Sequence, residues 1–272
     1  MALNNFWQRT IAGAVYVALA VGSVLYDLRL FALLFAVITA LGLNEFYRHT
    51  IDANPALRFI GVISGTVLYA VIAMVGLDKV AAIPASTGWF LLIPYFLLIL
   101  GLFDPGIDYF RNLGMILLGL VYVAIPLALI NLLSNYGDPQ GFSLVLGVLI
   151  FFWVNDTGAY LTGRSIGRKL LFPRISPKKT VEGLLGGIVL TLGTAWIISL
   201  YSRFALQHWL AIALIVSVFG TLGDLVESMF KRQLGIKDSG NLIPGHGGIL
   251  DRFDGFSVAL PMVLAYLIAM AG

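Results

Sequence analysis

Cysteine is absent from the 272 residues. That excludes disulfides, thiolate metal sites and a cysteine nucleophile, and it leaves the compartment open. Charge is scarce too. Asp, Glu, Lys and Arg make up 11% of the chain, against about 25% in a soluble domain. So few charges cannot cover a soluble globule of this length. With 59% hydrophobic residues and a mean hydropathy of +0.93, the bilayer is the natural solvent. Histidine occurs three times, at His49, His208 and His246, and never in a cluster. Neither a GxxxxGK(S/T) phosphate loop nor an HExxH helix occurs, so any phosphate site is of another type. No repeat, low-complexity tract or linker interrupts the sequence. It reads as a single integral membrane domain over 1–272, with 1–140 mainly scaffold spans and 141–272 the motif-bearing part.

What is abundant is apolar runs of spanning length. Nine stand out, at 11–26, 30–46, 59–77, 88–103, 113–133, 142–154, 184–201, 209–222 and 256–271. A span needs ~20 mainly apolar residues, and without water in the bilayer core such segments must be helices. The expected fold is an all-α polytopic membrane protein of about nine transmembrane helices. The sixth and eighth runs are short and end in polar residues. With the amino terminus inside, Lys79 and two arginines, Arg29 and Arg203, fall in outside loops, and the other 14 of the 17 Lys and Arg fall inside. The positive-inside rule then places the N-terminus in the cytoplasm and the C-terminus outside. Ala18-Leu19-Ala20 resembles a signal-peptide cleavage site, but the preceding apolar run is short and only Arg9 precedes it. An uncleaved anchor is expected.

The amino-terminal half is nearly bare of functional groups. Two inside loops, at 154–183 and 223–255, carry the polar chemistry. The first opens with Asn155 and Asp156 and runs through a basic stretch to Ser176-Pro177-Lys178-Lys179-Thr180. In the second, Asp224, Glu227, Ser228 and Lys231 lie at i, i+3, i+4 and i+7, on one face of a helix. Asp251 and Asp254 are i and i+3 at the start of the last span. Three or four carboxylates can therefore converge where two helices meet the cytoplasm, and ionisable groups at such depth point to function. The loop between is rich in glycine, which lets backbone approach a ligand closely. Hard oxygen donors without Cys or clustered His suit Mg²⁺ rather than zinc. Lys and Arg beside them suit a phosphate-rich substrate. The combination points to phosphoryl or nucleotidyl transfer, in which the protein positions groups and neutralises charge.

Blander readings stand beside these. Arg164, Arg168, Lys169 and Arg174 read equally as topology signals and anionic-lipid contacts. Asp224 has Lys231 or Arg252 within reach as a plain ion-pair partner. His49 and His208 read as interfacial. His246, inside Gly245-His246-Gly247-Gly248, is oddly placed for a core residue.

The stretch 228–254, SMFKRQLGIKDSGNLIPGHGGILDRFD, resembles the signature of the phosphatidate cytidylyltransferase (CDP-diacylglycerol synthase) family. That pattern has Ser, Lys-Arg, Lys-Asp after four residues, His-Gly-Gly and Asp-Arg-x-Asp, and each fixed position is met. NDTGAY from Asn155 and SPKKTVEG from Ser176 are similar to further elements of that family, and GDLVES from Gly223 leads into the signature. The resemblance covers residues ~150–271; the remainder fits in length and hydropathy alone. It implies attack of the phosphate of phosphatidate on the α-phosphorus of CTP, giving CDP-diacylglycerol and pyrophosphate. It also implies Mg²⁺, beside which a monovalent cation such as K⁺ is an open alternative, a homodimer, no nucleic acid, and a bacterial cytoplasmic (inner) membrane with the active site facing the cytoplasm. Carried onto this chain, Asp224, Asp251 and Asp254 hold metal, with Lys231 as a fourth catalytic group. Asn155, Asp156, Ser176, Lys178, Lys179, Thr180, Glu227, Ser228, Arg232, Lys237, Asp238, His246 and Arg252 bind substrate. The alternative enzyme is a CTP-dependent lipid kinase, which releases CDP instead of pyrophosphate. A transporter would need broken helices near the midplane, and an alcohol phosphatidyltransferase would need a DG…AR…G…D…D pattern that is not found.

Overall fold

The computed structural model describes residues 2–51, 54–78, 93–100, 102, 108–136, 142–240, 242 and 247–271; at 2–12, 78, 93, 94, 97 and 100 it describes the backbone alone. The chain is mostly helical, and among the described residues seven helices are long and apolar enough to cross a membrane. This is an integral membrane architecture. The first expected span falls on a helix whose apolar part, Gly13–Tyr26, is shorter than the seven. The fourth is described only as the helix Ile93–Leu100. Lys79 and His246 lie outside the described residues.

The chain divides into two compact units. The first comprises Met1–Leu132 and Asp238–Arg252. Its helices are α1 (Ala2–Tyr26), α2 (Leu28–Thr50), α3 (Pro55–Asp78), α4 (Ile93–Leu100), α5 (Tyr109–Gly119) and α6 (Ile125–Leu132). Between α5 and α6 a π turn spans Leu120–Ala124, closed by the Ile125 amide on the Leu120 carbonyl. Pro126 follows at once and brings no N–H of its own, so the helix changes register where a donor is missing anyway. Core aromatics carry their polar atoms to partners. Tyr47 donates to the Ile116 carbonyl at 2.9 Å, Tyr69 to the Ala32 carbonyl at 2.9 Å, and Asn131 to the Tyr69 oxygen at 3.0 Å.

The second unit comprises Leu133–Lys237 and Phe253–Gly272. It holds α7 (Leu144–Ile166), a hairpin of β1 (Leu170–Phe172) and β2 (Ser176–Thr180), α8 (Val181–Ser199) and α9 (Leu206–Gln233). The short α10 (Leu250–Phe253) leads from the first unit into α11 (Phe256–Ala271). Trp209 is wholly buried against the Phe151 ring, edge to face at 5.8 Å, and Phe152 stacks on Phe256 at 4.0 Å.

Two expectations need correction. The polar stretch after the sixth apolar run is not a loop at its start, whereas the helix expected over 224–231 is present. Helix α7 continues through Asn155 and Asp156 to Ile166, and α9 continues through Asp224 and Lys231 to Gln233. Hydropathy falls there, but no Pro interrupts either stretch and the hydrogen-bond ladder carries on. Nor is the fold purely α. β1 pairs antiparallel with β2, Leu170 opposite Thr180 and Phe172 opposite Ser176. Pro177 fits this two-stranded ribbon because an edge strand does not need every N–H.

Candidate active site

In the second unit, α7 and α8 approach closely through small residues. A Cβ on Gly186 would sit 2.1 Å from the Thr162 hydroxyl, and one on Gly187 would sit 2.6 Å from Asn155 Oδ1. Small residues let backbones approach in this way when there is little hydrophobic drive between helices in lipid. The hairpin folds back beside them. Glu182, in the first turn of α8, accepts from the Arg168 and Lys169 amides at 3.0 and 3.2 Å. Thr180 caps α8 by accepting from the Gly183 amide at 3.1 Å.

These contacts enclose a cavity of about 470 Å³. Its wall includes Asn155, Asp156, Tyr160 and Arg164 from α7, Ser176, Lys178, Lys179 and Thr180 from β2, Gly183 from α8, and Thr221 and Asp224 from α9. Three cationic side chains and two carboxylates thus share one concave surface. The first turn of α8 opens on it, and a helix N-terminus favours an anion. Asn155 is 3% exposed, and its Oδ1 has no hydrogen-bond partner among the described residues. A buried carbonyl oxygen of this kind wants a donor or a cation. Arg164 donates to the Tyr160 hydroxyl at 3.0 Å, its guanidinium 6.0 Å from that ring's centroid.

Acidic groups gather at one side. Asp224 Oδ2 pairs with Lys179 Nζ, and Asp224 Oδ1 accepts from the Ser228 hydroxyl at 3.3 Å. One turn on, Glu227 pairs with Lys231; that carboxylate side chain is 1% exposed. Asp254 sits in the turn between α10 and α11 and bonds the Gly255 amide at 2.7 Å. Asp224, Glu227 and Asp156 stand close enough to act on its charge. Gly223 makes this approach possible, because a Cβ there would lie 2.7 Å from the Asp254 carbonyl oxygen. Gathering four carboxylates is electrostatically costly, and a bound cation offsets that cost.

Every donor in this group is oxygen, which suits a hard cation. Among the described residues no three His, Cys, Asp or Glu side chains stand close enough to cage a metal alone. Mg²⁺ does not ask for such a cage; it is held by one or two carboxylates, waters and substrate phosphates. The donor set fits that mode.

The first unit holds a second acidic centre. Asp251 Oδ2 accepts from the Ser239 amide at 2.9 Å, the Ser239 hydroxyl at 3.0 Å and the Gly248 amide at 2.7 Å. Glu45 of α2 accepts from the Ile249 and Leu250 amides at 3.0 and 3.1 Å and from the Ser239 hydroxyl at 3.2 Å. His49 Nε2 lies 2.8 Å from the Ser239 carbonyl oxygen.

Seven of the expected site residues therefore share the cavity wall: Asn155, Asp156, Ser176, Lys178, Lys179, Thr180 and Asp224. Glu227, Ser228, Lys231 and Asp254 adjoin Asp224 through the contacts above. Arg232 and Lys237 are exposed, Arg232 donating to the Ile236 carbonyl at 3.2 Å. Asp238, Asp251 and Arg252 belong to the first unit. Tyr160, Arg164 and Thr221 were not expected in the site. Asp156, Tyr160 and Arg164 are spaced i, i+4, i+8, so extending α7 by about three turns would have put them on one face. Glu45 was also missed, although an acid inside an expected span is itself a signal.

The cytidylyltransferase family profile matches residues 7–270, and the chain belongs to that family. Within it, the chain is similar to proteins named phosphatidate cytidylyltransferase. The one from Bacillus subtilis (strain 168) is 44% identical over 163 residues, which is 59% of this chain and 60% of the relative. That from Staphylococcus haemolyticus (strain JCSC1435) is 47% identical over 133 residues, 48% of this chain and 51% of the relative. A third, from Staphylococcus saprophyticus, is 48% identical over 131 residues, 47% of this chain and 50% of the relative. The chain thus spans between half and three fifths of the length of the curated relatives it matches.

Proposed function

We propose that this protein transfers the cytidylyl group of CTP to phosphatidate, releasing pyrophosphate and forming CDP-diacylglycerol. The observation that carries this reading is the cavity of the second unit, whose lining brings Arg164, Lys178 and Lys179 together with Asp156 and Asp224. Family membership and the names of the relatives support it.

An oxygen of the phosphatidate phosphate attacks the α-phosphorus of CTP. A P–O bond forms there, and the bond from that phosphorus to the bridging β-phosphate oxygen breaks, its electron pair leaving on pyrophosphate. A phosphate monoester, with a second pKa of ~6, is already largely dianionic at neutral pH, so no general base is needed. The difficulty is bringing two polyanions together. Lys178, Lys179 and Arg164 neutralise phosphate charge, and the positive end of the α8 dipole at Gly183 favours an anion there. Lys179 is shared between Asp224 and substrate, so binding a phosphate competes with that ion pair. Asn155 orients the group nearest α8. Asp224 and Asp254 would hold Mg²⁺, with Asp156 beside them. When bound, the ion neutralises developing charge on phosphate oxygens. Asp251 was expected as a third ligand. Its Oδ2 is occupied by three donors, so its first role here is to shape its own loop.

The rest of the proposal concerns placement. About nine spans with the N-terminus in the cytoplasm and the C-terminus outside agree with the 14-to-3 charge split. That orientation puts the cavity at the cytoplasmic face, where CTP is available and phosphatidate is in the leaflet. The bacterial relatives favour the cytoplasmic (inner) membrane. A homodimer, and a monovalent cation such as K⁺ beside Mg²⁺, are carried by family resemblance alone.

The deciding experiment incubates purified protein in detergent with phosphatidate, α-labelled CTP and Mg²⁺, with and without EDTA. Labelled lipid with equimolar pyrophosphate, abolished by EDTA, is expected. Unlabelled lipid with CDP as the nucleotide product would move the assignment to a CTP-dependent lipid kinase.

A further inference from the structure

The buried acid of α2 has no part in the cavity chemistry, yet it is tied to the glycine-rich signature segment some 200 residues later. Glu45 is 8% exposed. Its two oxygens take the Ile249 and Leu250 amides and the Ser239 hydroxyl. Two of these donors open α10, and the third stands at the other end of the same loop. Asp251 holds that loop from within, through Ser239 and Gly248.

The glycines fit these carboxylates rather than a ligand. A Cβ on Gly240 would lie 2.6 Å from Glu45 Oε1, and one on Gly248 would lie 2.4 Å from Glu45 Oε2. On Gly247, at φ +83°, it would lie 2.6 Å from Asp251 Oδ2. Three glycines of the segment are therefore shaped around two acids of the chain itself. A buried carboxylate is stabilising only with its donors in place, so Glu45 and the loop hold each other in one geometry. The held residues end at Asp251, and Asp254 follows three residues later in the chain.

From this geometry we infer that Glu45 is a positioning residue. It fixes Ser239 and the residues Gly248 to Asp251 so that the chain enters α11 with Asp254 correctly presented. The inference rests on the cytidylyltransferase reading for its activity readout and on backbone protection for a readout independent of it.

The test compares wild type with Glu45→Gln, Glu45→Asp and Ser239→Ala in detergent. The Gln amide presents N–H₂ where the Leu250 amide needs an acceptor, so one bond becomes a donor–donor clash at nearly unchanged volume. Expected for Glu45→Gln is a fall in kcat of about tenfold or more, the effect of losing a hydrogen bond to a charged acceptor. KM for CTP and for phosphatidate stays within about threefold, because the cavity residues are untouched. Hydrogen exchange in the peptides covering 247–251 accelerates by about tenfold or more, while peptides of α7, α8 and α9 are unchanged. Glu45→Asp, which keeps the charge, recovers part of kcat. Ser239→Ala loses less, and its effect is not additive with Glu45→Gln because both act through one clasp.

Glu45→Gln with kcat within twofold of wild type and unchanged exchange would overturn the inference. So would a general loss of thermal stability with normal kcat in the folded fraction, since that describes packing only. If wild type makes no labelled lipid while Glu45→Gln still loosens 247–251, the cytidylyltransferase reading fails and the clasp stands.

Discussion

Two acidic centres of this chain use the same side chains and are satisfied in opposite ways. At Glu45 and Asp251 the partners are four backbone amides and one hydroxyl, all supplied by a short loop. At Asp224 and Glu227 the partners are lysine ammonium groups, with Asp254 and Asp156 crowded beside them. Backbone donors cannot move away from a carboxylate without unfolding the loop. A lysine can swing to a phosphate, and a crowded carboxylate can take a cation. The first arrangement stores shape and the second leaves charge to be used. Acidic residues in a membrane segment thus signal function, but only their partners tell whether the function is binding or holding.

Substitutions sharpen this contrast. The largest effect is expected for Asp224→Asn and Asp254→Asn. Each should lower transfer of α-label into lipid by ~10³-fold or more, as several kcal/mol of charge stabilisation are lost, with the protein still folded and membrane-inserted. Near-normal turnover in both would remove the acids of the second unit from the chemistry.

Lys231→Ala comes next and acts on stability. It leaves Glu227 buried without its cation, which should cost roughly 3 kcal/mol or more. A thermal melt in detergent should show a lowered midpoint, and the paired change Glu227→Gln with Lys231→Met should recover most of it. A midpoint unchanged in Lys231→Ala would mean that this pair is wet.

Asp251→Asn discriminates between the two centres most directly. As a loop-holding group its loss should cost about tenfold in kcat, well short of Asp224→Asn. A loss equal to that of Asp224→Asn would return Asp251 to the metal ligands.

The smallest pair of effects separates close approach from mere composition. Gly187→Ala puts a methyl against Asn155 and should destabilise by about 1–3 kcal/mol. Gly193→Ala, on the same helix with nothing within 4 Å of the added carbon, should be neutral or stabilise by a few tenths of a kcal/mol through helix propensity. Equal melts for the two variants would contradict the close α7–α8 seam.

Much of this was legible beforehand because the signals were local. Apolar length marks a span wherever it occurs. Asp224, Glu227, Ser228 and Lys231 lie one turn apart, and α9 carries them as expected. Other features were hidden for physical reasons. SPKKT has neither apolar alternation nor β-branched enrichment, so nothing local marks it as β2; its pairing with Leu170–Phe172 supplies the strand. The end of α7 was placed too early because hydropathy reports solvent preference, whereas the helix continues on backbone bonds. Arg164 read as a topology signal because its place in the cavity depends on that continuation.

The sequence by itself determined the solvent, the helical class, the family and the acids that gather near α9, since composition, run length and i, i+3, i+4 spacing act within a few residues of one another. Only the tertiary structure decided that Asp251 is held by its own loop, that Glu45 takes donors from that loop, and that Arg164 lines the same cavity as Lys178 and Lys179. Those facts depend on how the chain turns back on itself, over about a dozen residues at Asp251 and the hairpin and over some 200 at Glu45, and no local periodicity encodes such meetings.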